Sequence, residues 1–175
     1  MAGVAYELNP VTHITAGFIG QPGKRVFYLQ AHQGREIVTL IVEKQQAEAL
    51  AHGIEQFLEE LQAKFPHLPD AAADYVPEKM ALKVPLDPAF RVGQLGLGYD
   101  PDRDLLVIVA QEIIVEDRDP QEASTARFFA TRAQARALSR HALIVVKQGR
   151  PTCNMCGQPI DPEGHFCPRR NGHQH

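Results

Sequence analysis

Two segments of this chain, 88 residues apart, read alike. Lys44-Gln45-Gln46-Ala47-Glu48-Ala49-Leu50 aligns with Arg132-Ala133-Gln134-Ala135-Arg136-Ala137-Leu138. Each opens a stretch with helical spacing of apolar residues, and each follows a short β-rich run, Thr39–Val42 or Arg127–Ala130. A chain that switches twice from strand-like alternation to a period near 3.6 residues is expected to form two strand–strand–helix halves. Ala, Gln and Leu are common in helices, so the match speaks for a repeated structure more than for a common ancestor. The fold class expected is α+β: mostly antiparallel strands with two packed helices.

Taken in order, Tyr6/Leu8 and Ile14/Ala16/Phe18 alternate on either side of Asn9-Pro10, so residues 4–20 are strand-like. Gln21-Pro22-Gly23 turns the chain, Val26–Leu29 is a strand, and Gln33-Gly34 turns again. Ile37–Val42 is apolar on both faces and is expected at the centre of a sheet. Ala47, Leu50, Ala51, Ile54, Phe57, Leu58, Leu61 and Phe65 form one stripe of a helix over about 44–65, which Pro66 ends. His52 and Glu55 fall on its polar side. Five prolines mark 66–88 as a connector with at most a short helical turn. Strands return at Phe90–Tyr99 and Leu105–Ala110. An acidic stretch and the strand Arg127–Ala130 follow. Thr131 caps a second helix running to about Lys147, with Ala135, Leu138, Ala142 and Val145 inward. Residues 1–149 are thus one α+β domain, and 150–175 a separate tail.

That tail carries all three cysteines. Cys153-Asn154-Met155-Cys156 places two thiolates on one metal, and Gly157 permits the positive φ such a turn often takes. The second half reads His165-Phe166-Cys167-Pro168-Arg169-Arg170, with Arg170 where a zinc ribbon would place its last cysteine. The fourth ligand must therefore come from elsewhere or be absent, and the nearby histidines are the candidates. His165, two residues before Cys167, points the same way along an extended segment and ranks first; His173 is the alternative. Three cysteines and one histidine close the coordination sphere, so Zn2+ bound by Cys153, Cys156, His165 and Cys167 is expected to be structural. A unit this small draws most of its stability from its metal.

The tail pattern Cys-x-x-Cys-Gly-x-Pro-Ile-Asp-Pro-Glu-Gly-His-x-Cys-Pro-Arg-x-Asn-Gly, from Cys153 to Gly172, resembles a bacterial family catalogued as domain of unknown function 3090, found in actinobacteria and related phyla. Asn9–Gly17, Gly20–Leu29 and Leu40–Gln46 are similar to that family too, so the resemblance spans nearly the whole chain. It implies no activity or substrate. It does imply a histidine at the position of His165, with the sequence beyond Gly172 variable.

Other motifs read as structural. Gly17-Phe18-Ile19-Gly20-Gln21-Pro22-Gly23-Lys24-Arg25 lacks the spacing and hydroxyl of a phosphate loop, although Lys24 and Arg25 can attract an anion. Gly93-x-x-Gly96-x-Gly98 leads into a hairpin, not a helix, and suits a bent or closely packed strand. Glu112, Glu116, Asp117 and Asp119 lack calcium-loop spacing. His13, His32, His52, His67 and His141 have no partner visible in sequence, and His13 is the one to watch.

Net charge is −3, but residues from Gln121 onward carry about +5 and the remainder about −8. Arg132, Arg136 and Arg140 form a helical stripe that can face phosphates or, more in keeping with the repeat, Glu48, Glu55 or Glu59 of the first helix. The opening residues lack a secretion signal's basic and apolar regions, and no apolar run is long enough to span a bilayer. A Cys-x-x-Cys pair with an odd cysteine count suits a reducing cytoplasm. The function expected is that of a non-enzymatic cytoplasmic module whose zinc tail docks a protein partner or stabilises the fold. The alternatives are nucleic-acid association through the basic C-terminal part, and an enzyme with a pocket between the halves using His13 or the acidic cluster.

Overall fold

In a computed structural model, which describes residues 3–71 and 75–148, the elements run β1 (Ala5–Leu8), β2 (His13–Ile19), β3 (Val26–Gln33), β4 (Glu36–Val42), α1 (Lys44–Lys64), β5 (Pro88–Asp100), β6 (Leu105–Glu112), β7 (Thr125–Thr131) and α2 (Arg132–Gln148). The fold is α+β, as the two hydrophobic periods require. The strands, however, form one mixed sheet, in the order β1-β7-β6-β5-β4-β3-β2. Within each half the pairings are antiparallel, β2-β3-β4 and β5-β6-β7. The pairings that join the halves, β4 with β5 and β1 with β7, are parallel. A helix follows β4, so the chain returns along the sheet in a crossover and β5 arrives parallel to it.

Each half contains one strand more than the strand–strand–helix unit read from the sequence. In the second half that strand is β5. Its start pairs with β4, Leu40 opposite Phe90, and its remainder pairs with β6, Leu97 opposite Ile108. In the first half the same place is taken by β1 and β2 together. Leu8 lies opposite Phe128 of β7, and Ala16 opposite Leu29 of β3. The two ends of the sheet order are therefore consecutive in sequence, joined by residues 9–12, and the sheet must curl to bring them together. The joint is bonded on both sides: Val11 N–H donates to Phe129 O at 2.8 Å and Thr12 N–H to His32 O at 2.7 Å.

The helices begin with the same device. Glu43 N–H donates to Gln46 Oε1 at 2.7 Å; Thr131 N–H donates to Gln134 Oε1 at 2.9 Å, and Gln134 N–H returns a bond to Thr131 Oγ1 at 3.0 Å. Each glutamine then turns its amide Nε2 to the neighbouring parallel segment. Gln46 reaches Val92 O and Gly93 O, and Gln134 reaches Val11 O and Thr12 O. The caps stand at the 88-residue offset of the sequence match, so the repeat is present in the structure down to its hydrogen bonds. The α1 ladder ends where Phe65 N–H bonds Leu61 O and Pro66 offers no donor.

The apolar stripes of both helices meet the inner sheet face in one cluster. Ile54 of α1, Leu138 of α2, and Leu8, Leu40, Leu106 and Phe128 of the strands are each fully buried. Glu55 departs from the expected polar side. It lies at the helix–helix contact, where its Oε1 accepts a hydrogen bond from the buried Ser139 hydroxyl. On the other sheet face a row of polar side chains crosses three strands, with Thr15 opposite Gln30 and Gln30 opposite Thr39. All three are buried because the connector lies over them. Thr15 Oγ1 donates to Met80 O at 2.6 Å, Gln30 Nε2 donates to Thr39 Oγ1 and Lys83 O, and Gln30 Oε1 accepts from Lys83 N–H. Gly17 continues this face under Leu82, whose Cγ would sit 2.8 Å from any added Cβ. Pro77–Lys79 forms the one-turn helix expected of the connector.

Candidate functional site

Strand register brings together histidines that are distant in sequence. His13 and His32 are direct cross-strand partners of β2 and β3, with ring centroids 5.5 Å apart and edges to faces. His32 Nε2 contacts Gln30 Oε1 at 3.1 Å, which ties the pair to the buried polar row. His141 stands on α2. Its Nδ1 meets the Tyr75 hydroxyl of the connector at 2.8 Å. Burial lowers the pKa of all three imidazoles. The charge of His13 adds to the effect at His32 and His141, and that of Lys83 at His32. His13 Nε2 is buried without a hydrogen-bond partner and borders a cavity of about 190 Å3. Thr12, Lys79, Met80, Thr131 and Gln134 also line it. His13 is thus the scattered histidine that the fold places in a pocket.

The arginine stripe of α2 divides. Arg132 is only 8% exposed. Its Nε and Nη2 fork onto the Asp104 carboxylate at 2.8 and 3.1 Å, and its Nη1 donates to Pro69 O at 2.6 Å. Tyr99 Oη donates to the same carboxylate at 2.6 Å. Burial pushes the Asp104 carboxyl up, but the hydrogen bonds from Arg132 and Tyr99 outweigh it and hold the group below its ordinary range. The Tyr99 phenol is pushed up to about 12 by burial and by bonding to that carboxylate. Arg136 faces Glu55, as the intramolecular reading of the stripe expects, at 3.8 Å. Arg140 is exposed. Two of the three arginines are therefore spent within the fold.

A groove of about 370 Å3 lies between α1 and β5, where the first half meets the second. Ala49, Leu50, Gly53, Leu95 and Leu97 line it with the backbone of Gly93 and Gly96. Its one polar side chain, Gln46, is already bonded as the helix cap. Among the described residues, no titratable side chain lines it. The groove is open because Gly53 presents no side chain toward Leu97: a Cβ there would lie 3.6 Å from Leu97 Cδ1.

Other sequence candidates find structural places. Gly93 sits at a register shift of β5, where an added Cβ would come within 2.8 Å of Ile113 Cα. Arg25 stacks over Phe18 and donates to Gln148 O, so it is not free for an anion. Glu112 pairs with Arg118 and accepts from Ser124 N–H, while Asp119 Oδ1 accepts from Gln121 N–H. The acidic stretch is thus a loop braced by its own residues. Among the described residues, no group of three or more His, Cys, Asp or Glu side chains has the geometry to hold a metal. Cys153, Cys156, His165, Cys167 and His173 lie outside the described residues.

The class of protein defined so far is a curled, mixed-sheet α+β domain of two repeated halves, with a histidine-lined cavity and an apolar groove. The chain belongs to the family described as "Protein of unknown function (DUF3090)", whose family model matches residues 6–167. No curated protein and no solved structure gives a significant match. Among the described residues, no helix is long and apolar enough to cross a membrane.

Proposed function

We propose that the protein is a non-enzymatic, zinc-binding interaction module acting in the cytoplasm. The α1–β5 groove receives apolar side chains of a protein partner, and the tail holds structural zinc through Cys153, Cys156, His165 and Cys167. The observation that carries this reading is the groove itself. It is concave, apolar and without acids, bases or nucleophiles, which suits side-chain docking and offers nothing for chemistry. Three thiolates and one imidazole are a donor set that fits zinc. The family match over residues 6–167 includes all four of these positions. Affinity capture from the native cell tests the partner. Ala49→Glu puts a charge into the groove at an exposed helical position and should abolish capture while leaving thermal stability unchanged. Capture at the wild-type level by this variant would remove the groove from the proposal.

A second reading, a site for a small polar molecule, is favoured by the unpartnered His13 Nε2 at its cavity. Titration with small carboxylates and phosphates, followed through the His13 ring signals in NMR, tests it; signals unmoved at millimolar ligand would eliminate it. Nucleic-acid association keeps only Arg140, Lys147 and the tail's basic residues as contacts. It predicts binding that weakens steeply with salt and on changing Arg169 and Arg170 to Ala.

A further inference from the structure

Strand β5 has a long unpaired edge. On the β4 side its pairing runs only from Pro88 to Arg91, because β4 ends at Val42 and the chain turns into α1. Its other edge stays paired with β6 as far as Asp100. Along an antiparallel pair, successive residues point their N–H and C=O groups alternately toward the partner and away from it. Glu112 N–H bonds Ser124 O on the β7 side of β6. Gln111, Val109 and Val107 therefore face β5, where they meet Gln94, Gly96 and Gly98. The N–H and C=O groups of Leu95, Leu97 and Tyr99 then point out of the unpaired edge.

Helix α1 runs beside this edge. Gln46 is bonded to Val92 O and Gly93 O, Gly53 stands next to Leu97, and the Phe65 ring lies 5.9 Å from that of Tyr99. Two cavities follow one another in the trough between helix and strand. One is the groove of about 370 Å3 at Ala49, Gly53, Leu95 and Leu97; the other, of about 300 Å3, lies at Phe57, Lys64, Tyr99 and Pro101. The repeat shows what the second half does with the same place. Gln134, Ala137 and His141 stand 88 residues after Gln46, Ala49 and Gly53. Gln134 and Ala137 share their cavity with Val76, Lys79 and Met80 of the connector, and His141 bonds Tyr75. A stretch of the chain's own connector thus roofs the helix–strand seam of the second half. Among the described residues, none fills that of the first.

We propose that the α1–β5 trough takes an extended segment of a partner protein as an added strand. The segment bonds through its backbone to Leu95 and Leu97 and places apolar side chains, at alternate positions, in the two cavities. This rests on the groove being the docking site and adds the form of the partner. An unpaired strand edge is a template for another extended backbone. A helix cannot answer it, since its N–H and C=O groups are bonded to each other. A second copy offering its own β5 would bring its own α1 into the same trough, so the occupant is a segment that no helix flanks.

The test uses random peptides displayed on phage, selected against the full-length protein. The tightest binder is then made with each backbone amide N-methylated in turn. Strand addition predicts that methylation weakens binding about tenfold at alternate residues, the scale of one lost hydrogen bond, and little at those between. Bound peptide should also slow hydrogen exchange at the Leu95 and Leu97 amides, while those of Gly96 and Gly98, which face β6, are slow already in the protein alone. A selection that yields no peptide, or peptides that bind Ala49→Glu as tightly as the wild type, overturns the groove as a docking site and this inference with it. Peptides that lose binding to Ala49→Glu but show no alternation, or leave exchange at Leu95 and Leu97 unchanged, overturn the added strand and leave the groove standing.

Discussion

Arg132 stands at the first position of α2 with its guanidinium between Asp104 and Pro69 O, so one side chain joins the second helix, the β5–β6 turn and the start of the connector. Removing it strands a partly buried carboxylate that Tyr99 alone still bonds. Arg132→Ala should therefore cost about 2–3 kcal/mol in urea unfolding, less than for a fully buried pair because the Asp104 side chain is 40% exposed. A loss under 0.5 kcal/mol, roughly the scale of an exposed pair, would contradict the bridging role. The histidines give a pH dependence. His13, His32 and His141 have folded pKa values below the ordinary 6.5. As pH falls through that value the unfolded chain takes up protons first, so stability is complete above 6.5 and declines toward the lower folded values. Urea midpoints at about pH 7.5 and about pH 5.5 should differ in that direction, and His141→Gln should reduce the difference. Sequence offered no partner for the histidines, and for Arg132 it offered phosphates or Glu48, Glu55 or Glu59 of the first helix, not Asp104. His13 and His32 meet through strand register, and Arg132 and Asp104 through the return of α2 onto the β5–β6 turn.

At the scale of elements, the two helix starts share a cap that also fastens the next parallel segment. Gln134→Ala removes the Thr131 cap contact and the bonds to Val11 O and Thr12 O, and should lower stability by about 1 kcal/mol. Gln46→Ala should do the same at α1, and equilibrium unfolding of both variants checks the equivalence. Gly53 offers the opposite test. It lies inside α1 with room for a methyl group, so Gly53→Ala should stabilise the fold by about 0.5–1 kcal/mol. If the groove is a docking site, the same change should weaken capture of the partner, since it narrows the groove against Leu97. A gain in stability with undiminished capture would leave Gly53 without a functional reason. Both helices and their inward residues were legible because a stripe with a period of 3.6 residues has few other ways to be buried. The capping pair was legible only as a resemblance between two stretches, since the sequence does not show what Gln46 and Gln134 do with their second amide group.

For the whole molecule, the zinc reading predicts about one zinc per chain by metal analysis, lost in Cys153→Ser or Cys167→Ser. His165→Ala should lose or weaken binding while His173→Ala retains it. Metal-free protein with a protease-resistant tail would argue against the site. The curled sheet sets a further constraint. Because β1 and β2 are joined by residues 9–12 and that joint is bonded to β7 and β3, the halves are expected to unfold together in one cooperative transition. Coincident fluorescence and circular-dichroism melts check this, and two separated transitions would count against it.

The sequence by itself determined the local periods. From them came the α+β class, the element order, the central place of β4, the turns and the inward faces of α1 and α2. Each depends on side chains near one another along the chain, where apolar spacing and turn residues act directly. The tertiary structure decided what depends on pairing between distant segments: that the halves join through parallel strands, that β1 and β2 together stand in for the single strand β5, and that the connector is held down by Thr15 and Gln30. It also decided which histidines and arginines meet. Hydrogen-bonded register and the curl of the sheet set those contacts, and neither leaves a periodic trace in the order of residues.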